Sequence, residues 1–244
     1  MKNINPLYAF VLWLLIPSIW GQSLESELQS IATNHDMMGM SVVVFCKNGI
    51  TENIALGTAD HTRNIEMTTS SKYRIASVSK TITAIAVMQL VDQNLLNLDE
   101  DISNILGFEV KNPHNPDVAI TTRMLLSHTS TIIDGSTYSN FLGATVNNNP
   151  IPNLSEILAV GGQYYNAGQF NNTLPGTYFN YSNINYVILG TLVEKVSNLR
   201  FDVYCRQNIF QVLGIDASFN VNDLDDIDEL AVLLTRRQNN GNTN

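Results

Sequence analysis

The sequence is short of cysteine, of positive charge and of long apolar runs, and each shortage removes a class of function. Two cysteines, Cys46 and Cys205, among 244 residues are too few for a disulfide scaffold or a cysteine-rich zinc module. Lys and Arg number 13 against 22 Asp and Glu, a net charge of −9 with no basic block. Neutralising phosphates takes clustered Lys and Arg, so nucleic acid is not an expected partner. Beyond the N-terminus no run of 18 apolar residues occurs, which excludes a multi-span membrane protein. His35, His61 and His114 have no ligand-like spacing among themselves or with the cysteines, so neither a metal nor another cofactor is expected. A Gly-x-Ser-x-Gly elbow and a phosphate-cradling glycine loop are also missing.

What is present is enough for a sizeable core: 44% of residues are apolar, and the length suits one or two domains. The 30 Asn residues are dispersed rather than gathered in a tract. Lys2 precedes an apolar stretch from Leu7 to Trp20, broken by Pro17 and followed by Gly21, Gln22 and Ser23. That is the pattern of a secretory signal, and fourteen residues are short for a bilayer crossing. The expectation is a signal segment over 1–21 and a folded domain over 22–244, periplasmic or secreted, with no integral membrane span after cleavage. An uncleaved anchor is the alternative. Cys46 falls in a strand-like run and Cys205 in a helix-like one; two separately buried thiols are the commoner outcome. Asn-x-Ser/Thr sequons stand at Asn153, Asn171 and Asn180. A glycan on Asn180 would crowd the Tyr181-Ser182-Asn183 segment considered below, which favours a bacterial setting.

Residues 24–34 have helical apolar spacing. Ser41–Lys47 and Ile50–Gly57 read as strands about an Asn48-Gly49 hairpin turn. Ser77–Asn94 reads as a helix burying Ile82, Ala86, Met88, Leu90 and Val91. Thr121 or Thr122 caps a short helix ending at Leu126, and 112–117 and 146–152 read as loops. Ile184, Val187, Ile188, Leu192, Val193 and Val196 give one further amphipathic helix, and Phe201–Leu213 another, closed by Gly214. No obvious strand follows residue 121, and Asp223–Glu229 reads as an acidic surface run.

Two short segments hold reactive side chains. Ser77-Val78-Ser79-Lys80 places a serine and a lysine at i and i+3, on one face of a helix start. A serine hydroxyl is a weak nucleophile until a base takes its proton. A partly desolvated lysine can assist, and a helix N-terminus offers N–H groups to a developing oxyanion. The spacing also arises by chance, with Ser77 as an ordinary N-cap. About a hundred residues on stands Tyr181-Ser182-Asn183. A tyrosine there can act as base or acid if cations lower its pKa, and Asn183 can donate to a substrate carbonyl. The alternative is a helix N-cap at Ser182 or Asn183 with a packing tyrosine.

Ser-x-x-Lys at a helix start followed by Tyr-x-Asn resembles the penicillin-recognising serine hydrolases, in the branch of class C β-lactamases, D-alanyl-D-alanine carboxypeptidases, D-amino-acid peptidases and related esterases. Tyr73–Lys80 resembles the family's nucleophile segment, and Thr121–Ser130, with its Leu-Leu-Ser-His-Thr-Ser run, another. Pro175–Asn183 with Tyr186, Leu189-Gly190 and Glu194, and Ile209–Gly214, resemble two more. The likeness runs from about residue 24 to the end. It implies an α+β fold, an antiparallel sheet flanked by helices with an all-α subdomain. It implies Ser77 as the acylated nucleophile and half of the oxyanion hole through its N–H. Lys80 shares the proton network, Tyr181 is base then acid, and Asn183 binds the substrate amide and Lys80. The substrate would be a D-amino-acid peptide, a β-lactam or a small ester. Two departures accompany the likeness. The family's Lys/His-Thr/Ser-Gly strand is absent; the only Lys-x-Gly, Lys47-Asn48-Gly49, is the early hairpin. The C-terminal sheet strands are therefore expected to be missing and the domain incomplete at that end. Thr131 also stands where the family's His-Thr-Ser-Gly has glycine. His128 is expected to fix a loop rather than act as a base. The rival reading is a non-catalytic module that binds peptidoglycan fragments or β-lactams in the same cleft, or an inactive fragment.

Overall fold

The computed structural model describes residues 23–232, and the expected signal segment 1–21 lies outside the described residues. The fold is α+β, and the described residues divide into two compact units: 23–74 with 228–232, and Ile75–Ile227.

The first unit opens with helix α1 (Leu24–Asn34). Ser23 caps it, its hydroxyl accepting from Ser26 N at 3.2 Å, and Glu25 and Glu27 lie in its first turn, at the positive end of the helix dipole. Strands β1 (Gly39–Cys46) and β2 (Gly49–Asp60) pair antiparallel, and a short β3 (Ile65–Glu66) adds to β2 in the order β1-β2-β3. Cys46 pairs with Gly49, so the two-residue turn is Lys47-Asn48, one position earlier than the sequence suggested. The pairing also slips between Val44 and Phe45, a bulge that takes up the extra residue. Gly57 has φ +80°, and a Cβ there would lie 2.2 Å from the Met38 carbonyl; the close crossing requires glycine. Among the described residues no strand follows residue 121, as expected, but an isolated bridge extends the pairing. Lys72 N–H donates to Glu229 O, Ala231 N–H to Lys72 O, and Val232 N–H to Ala59 O, so 229–232 pairs with backbone from the start of the chain. Cys46, expected to be buried, is exposed, while Cys205 in the second unit is buried; both are free thiols. Burial pushes the Cys205 thiol up to about 12, helped by nearby Asp202, so it stays protonated and inert.

The second unit is helical. A 3-10 turn, Ala76–Val78, runs into α2 (Ser79–Asp92), followed by α3 (Ile102–Leu106), α4 (Thr122–Leu126), α5 (Ser136–Asn147), α6 (Ser155–Leu158) and α7 (Asn183–Ser197). Then α8 (Phe201–Cys205) passes through a π-helical stretch, Arg206–Phe210, into α9 (Gln211–Leu213), which ends at left-handed Gly214. Caps explain several boundaries. Asp101 accepts from Ser103 N at 2.8 Å and Thr121 from Met124 N at 3.3 Å; each such cap contributes about 1 kcal/mol.

The core is built on α2 and α7. Helix α2 buries Thr83, Ala86, Val87 and Leu90, and α7 buries Ile184, Ile188, Leu189, Leu192 and Val193. A fully buried Ile or Leu contributes roughly 1.5–3 kcal/mol. Met88 and Val187, expected inside, are exposed. The buried set of α2 follows i, i+3, i+4, i+7, and Met88 lies off that stripe. Helix α5 was not foreseen, and its last residues fall where a loop was expected; Gly143, Ser and Asn dilute its pattern, and only Phe141 and Ala144 are fully turned inward. Among the described residues, no helix is long and apolar enough to cross a membrane.

Candidate active site

Ser77 lies in the middle of the 3-10 turn that leads into α2. Its neighbour Ala76 has φ +45°, a left-handed conformation that costs a residue with a Cβ roughly 1–2 kcal/mol. Neither the turn nor α2 has a side-chain cap. The Ser77 hydroxyl is therefore not spent on capping the helix. Instead it accepts from Lys80 Nζ at 3.2 Å and from Tyr181 OH at 2.8 Å. The pair at i and i+3 meets as helix geometry dictates; the tyrosine arrives from 104 residues away.

Tyr181 is carried by a segment pinned at several points. Leu174-Pro175-Gly176-Thr177 closes a turn, Thr177 N–H donating to Leu174 O at 3.2 Å, with Gly176 at φ +88°. Proline then glycine at the central positions is the type II pattern. Gly176 N–H next reaches Thr129 O at 2.9 Å and Asn180 N–H reaches His128 O at 2.8 Å, so the segment is laid along the loop after α4. That loop contains Thr131 at φ +72°, the conformation its glycine counterpart would take freely. Thr131 holds it buried, its Oγ1 accepting from Asn112 Nδ2 at 2.9 Å.

Asn183 begins α7. Its Oδ1 accepts from Lys80 Nζ at 2.8 Å, so Lys80 bridges Ser77 and Asn183. The ammonium also stands 4.8 Å from the centre of the Tyr181 ring and 5.6 Å from that of Tyr186. The Lys80 ammonium, then the Ser77 hydroxyl, hold the Tyr181 phenol below the ordinary tyrosine range, against an opposing effect of desolvation. Tyr181 remains 45% exposed, so solvent screens these effects in part. The arrangement can move a proton. With Tyr181 neutral, Ser77 Oγ accepts two hydrogen bonds; with Tyr181 ionised, the 2.8 Å contact reverses and the serine proton points at a base. A pocket of about 420 Å³ opens beside Lys80 and Asn183, lined also by Ala76, Tyr138, Tyr186 and Phe219. Ser77 and Tyr181 do not line it, so volume alone does not mark the reacting atoms.

Two residues near this centre hold others in place. His128 is buried, and its Nδ1 accepts the Ser182 N–H at 3.2 Å, with Asn185 Nδ2 3.4 Å away. An acceptor at Nδ1 puts the ring proton of the neutral imidazole on Nε2. The ring also packs against Tyr181, with centroids 4.6 Å apart. That geometry fixes the loop, as sequence reasoning expected. Burial, then the Lys80 charge, holds the imidazole below its ordinary range. The unfolded chain therefore binds the proton more readily than the folded one. Stability from His128 is full above an unfolded value near 6.5 and is lost as pH falls through 6.5 toward the lower folded value. The melting midpoint is expected to be lower at pH 5 than at pH 7.5, and the drop to shrink in His128→Gln. An equal drop in that variant would assign the effect to another group.

Asp134 is the residue sequence reasoning missed. Ser182 occupies the N-cap position of α7 but makes no cap bond with its side chain. Asp134 caps the helix from outside: Oδ2 accepts from Asn183 N at 2.8 Å and from Asn183 Nδ2 at 2.7 Å, and Oδ1 accepts from Ser182 Oγ and from Ile184 N, each at 3.0 Å. An acidic residue 49 positions away carries no local signal. Among the described residues, no group of three His, Cys, Asp or Glu side chains is arranged to hold a metal ion.

Known proteins resemble this chain in sequence and fold. Over 200 residues the chain is 30% identical to penicillin-binding protein 4 of Amycolatopsis lactamdurans, covering 81% of this chain and 48% of that one. The chain thus spans about half the length of this curated relative. Among solved structures, the octameric penicillin-binding protein homologue from Pyrococcus abyssi superposes with a TM-score of 0.66 at 24% identity, over 85% of this chain and 46% of that one. EstCE1, a hydrolase with promiscuous acyltransferase activity, gives 0.64 at 25% identity, over 84% and 54%. The family model described as Beta-lactamase matches residues 24–240. That match takes in both reactive segments and the residues that hold them, and the chain belongs to the beta-lactamase family of serine hydrolases.

Proposed function

We propose that this protein is an exported serine hydrolase that cleaves amide or ester bonds through an acyl-enzyme at Ser77. One observation carries the reading: a single serine oxygen lies within hydrogen-bond reach of both a lysine ammonium and a tyrosine hydroxyl whose pKa that ammonium lowers. In the first step Ser77 Oγ bonds to the substrate carbonyl carbon while its proton passes to the Tyr181 oxygen. The bond to the leaving group then breaks and Tyr181 returns the proton to that group. In the second step water attacks the ester carbonyl and Tyr181 takes a water proton; the bond to Ser77 Oγ then breaks, Tyr181 passes that proton to the departing serine oxygen, and the acid is released. Asn183 Nδ2 and Lys80 flank the position the substrate amide would take. The Ser77 N–H, in the 3-10 turn that leads into α2, supplies one donor to the oxyanion.

D-amino-acid peptides, β-lactams and small esters fit the chemistry, and the names of the relatives, penicillin-binding proteins and an acyl-transferring hydrolase, point the same way. Export rests on the Lys2 and Leu7–Trp20 pattern. The test is to expose the 244-residue chain to a fluorescent penicillin and to p-nitrophenyl butyrate, and to map any adduct by peptide mass. An adduct on Ser77 that forms and clears supports a hydrolase. One that forms and endures assigns the cleft to binding without turnover. Acylation elsewhere, or none, overturns the reading.

A further inference from the structure

Asp134 does more than a helix cap requires. Capping α7 needs acceptors for the N–H groups of Asn183 and Ile184, which Asp134 provides at 2.8 and 3.0 Å. Two further bonds remain: Ser182 Oγ to Asp134 Oδ1 at 3.0 Å fixes the residue before the helix, and Asn183 Nδ2 to Asp134 Oδ2 at 2.7 Å satisfies no helix N–H. An asparagine amide has a donor end and an acceptor end, and here each end meets a group that accepts only one of them. A carboxylate only accepts and an ammonium only donates. With Asp134 on the Nδ2 side and Lys80 on the Oδ1 side, 2.8 Å away, the amide has one orientation.

On the reading that Ser77 is acylated, we propose that Asp134 is a positioning residue for acyl transfer: it locks the Asn183 amide with Oδ1 toward Lys80, and through that contact holds the ammonium on the Ser77 hydroxyl. The chain of contacts is continuous, from Asp134 Oδ2 to Asn183 Nδ2, from Asn183 Oδ1 to Lys80 Nζ, and from Lys80 Nζ to Ser77 Oγ. The carboxylate accepts four bonds, one for each lone-pair direction, so no acceptor is spare. Asparagine at 134 keeps the shape but has one oxygen. It must turn an NH₂ toward donors, and the Asn183 amide is released to flip and present Nδ2 to Lys80.

The test separates positioning from capping. The acylation rate is read from the burst of p-nitrophenolate when the full chain meets p-nitrophenyl butyrate. Asp134→Asn is expected to slow the burst about 10²-fold, the scale of a misplaced reacting group. In an Asn183→Ala background, which keeps the cap but has no amide to orient, Asp134→Asn is expected to slow it by no more than about threefold, a strong failure of additivity. Equal slowing in both backgrounds, or none in either, overturns the proposal and leaves Asp134 a cap. If Asp134→Asn melts below the assay temperature, Asp134→Ser, which retains a capping oxygen but not the second acceptor, is compared in the same two backgrounds at 10 °C. No burst and no Ser77 adduct in the unaltered chain would instead overturn the acyl-transfer reading, and this inference with it.

Discussion

Ser77→Ala is expected to abolish the adduct left by an acylating ester and to lower turnover on the order of 10⁶-fold, as removal of a serine nucleophile does elsewhere. The substitution deletes one exposed oxygen and leaves its surroundings in place. Lys80 retains Asn183 Oδ1 as acceptor, and Tyr181 loses its acceptor to water, since it is itself open to solvent. Ser77 caps no helix, so the melting midpoint should move little, within the roughly 0.5 kcal/mol usual for surface changes. The result is therefore read cleanly: intact mass before and after the ester, with thermal melting as the control. A mass gain that persists in Ser77→Ala sinks the assignment. A large fall in melting midpoint would mean the hydroxyl is a structural element after all.

The part of this site legible in the sequence is the part whose geometry is local. Ser77 and Lys80 are three apart at a helix start, and their meeting follows from helical pitch. Tyr181 and Asn183 are two apart in an extended segment, so they reach one side together. That the two pairs meet depended on the likeness to a family, not on spacing. Asp134 was invisible because its partners are set by how two loops are laid together, Gly176 and Asn180 along Thr129 and His128. Cap signals normally lie among a helix's immediate neighbours, and α7 takes its cap from a distant carboxylate instead.

The fold divides in the same way. Helix α1, the β1–β2 pairing and the helix ending at Gly214 follow from apolar period, hairpin residues and a left-handed C-cap. The buried side of α2 did not, because that helix is apolar nearly all round, so that Met88 and Val87 cannot be ranked from composition. The pairing of 229–232 with Lys72 and Ala59 joins segments separated by most of the chain, and a stretch so short has no strand signature of its own. Chance alternatives left open by the motifs are narrowed by position. The Ser77 oxygen is engaged by Lys80 and Tyr181, and the Ser182 hydroxyl by Asp134. Neither side chain makes the N-cap hydrogen bond that an incidental motif would show.

Tyr181→Phe should cost 10²–10⁴-fold in acylation, the span attributed to a positioned general base, and should change the form of the pH profile as well as its height. The phenol is held below its ordinary value near 10, first by Lys80 and then by Ser77. As pH rises through that lowered value, Tyr181 ionises and the Ser77 hydroxyl turns to donate to it, so the acylation rate should climb until the phenolate is fully formed. Charges facing the ring act in both directions: Lys80 lowers the value, while Asp134 raises it. His128 and Tyr186 flank the ring site as neutral partners, His128 because burial and Lys80 disfavour its charged form. Phenylalanine keeps the packing against His128 and removes only the oxygen, so the fold should be retained and the rising limb lost. The measurement is the burst rate from pH 6 to pH 10 for both proteins. A limb of unchanged midpoint in Tyr181→Phe would place the base elsewhere, with Lys80 as the group left in reach of the serine at 3.2 Å. A flat, depressed profile would leave Tyr181 as the residue that takes the proton, with Lys80 acting through its charge.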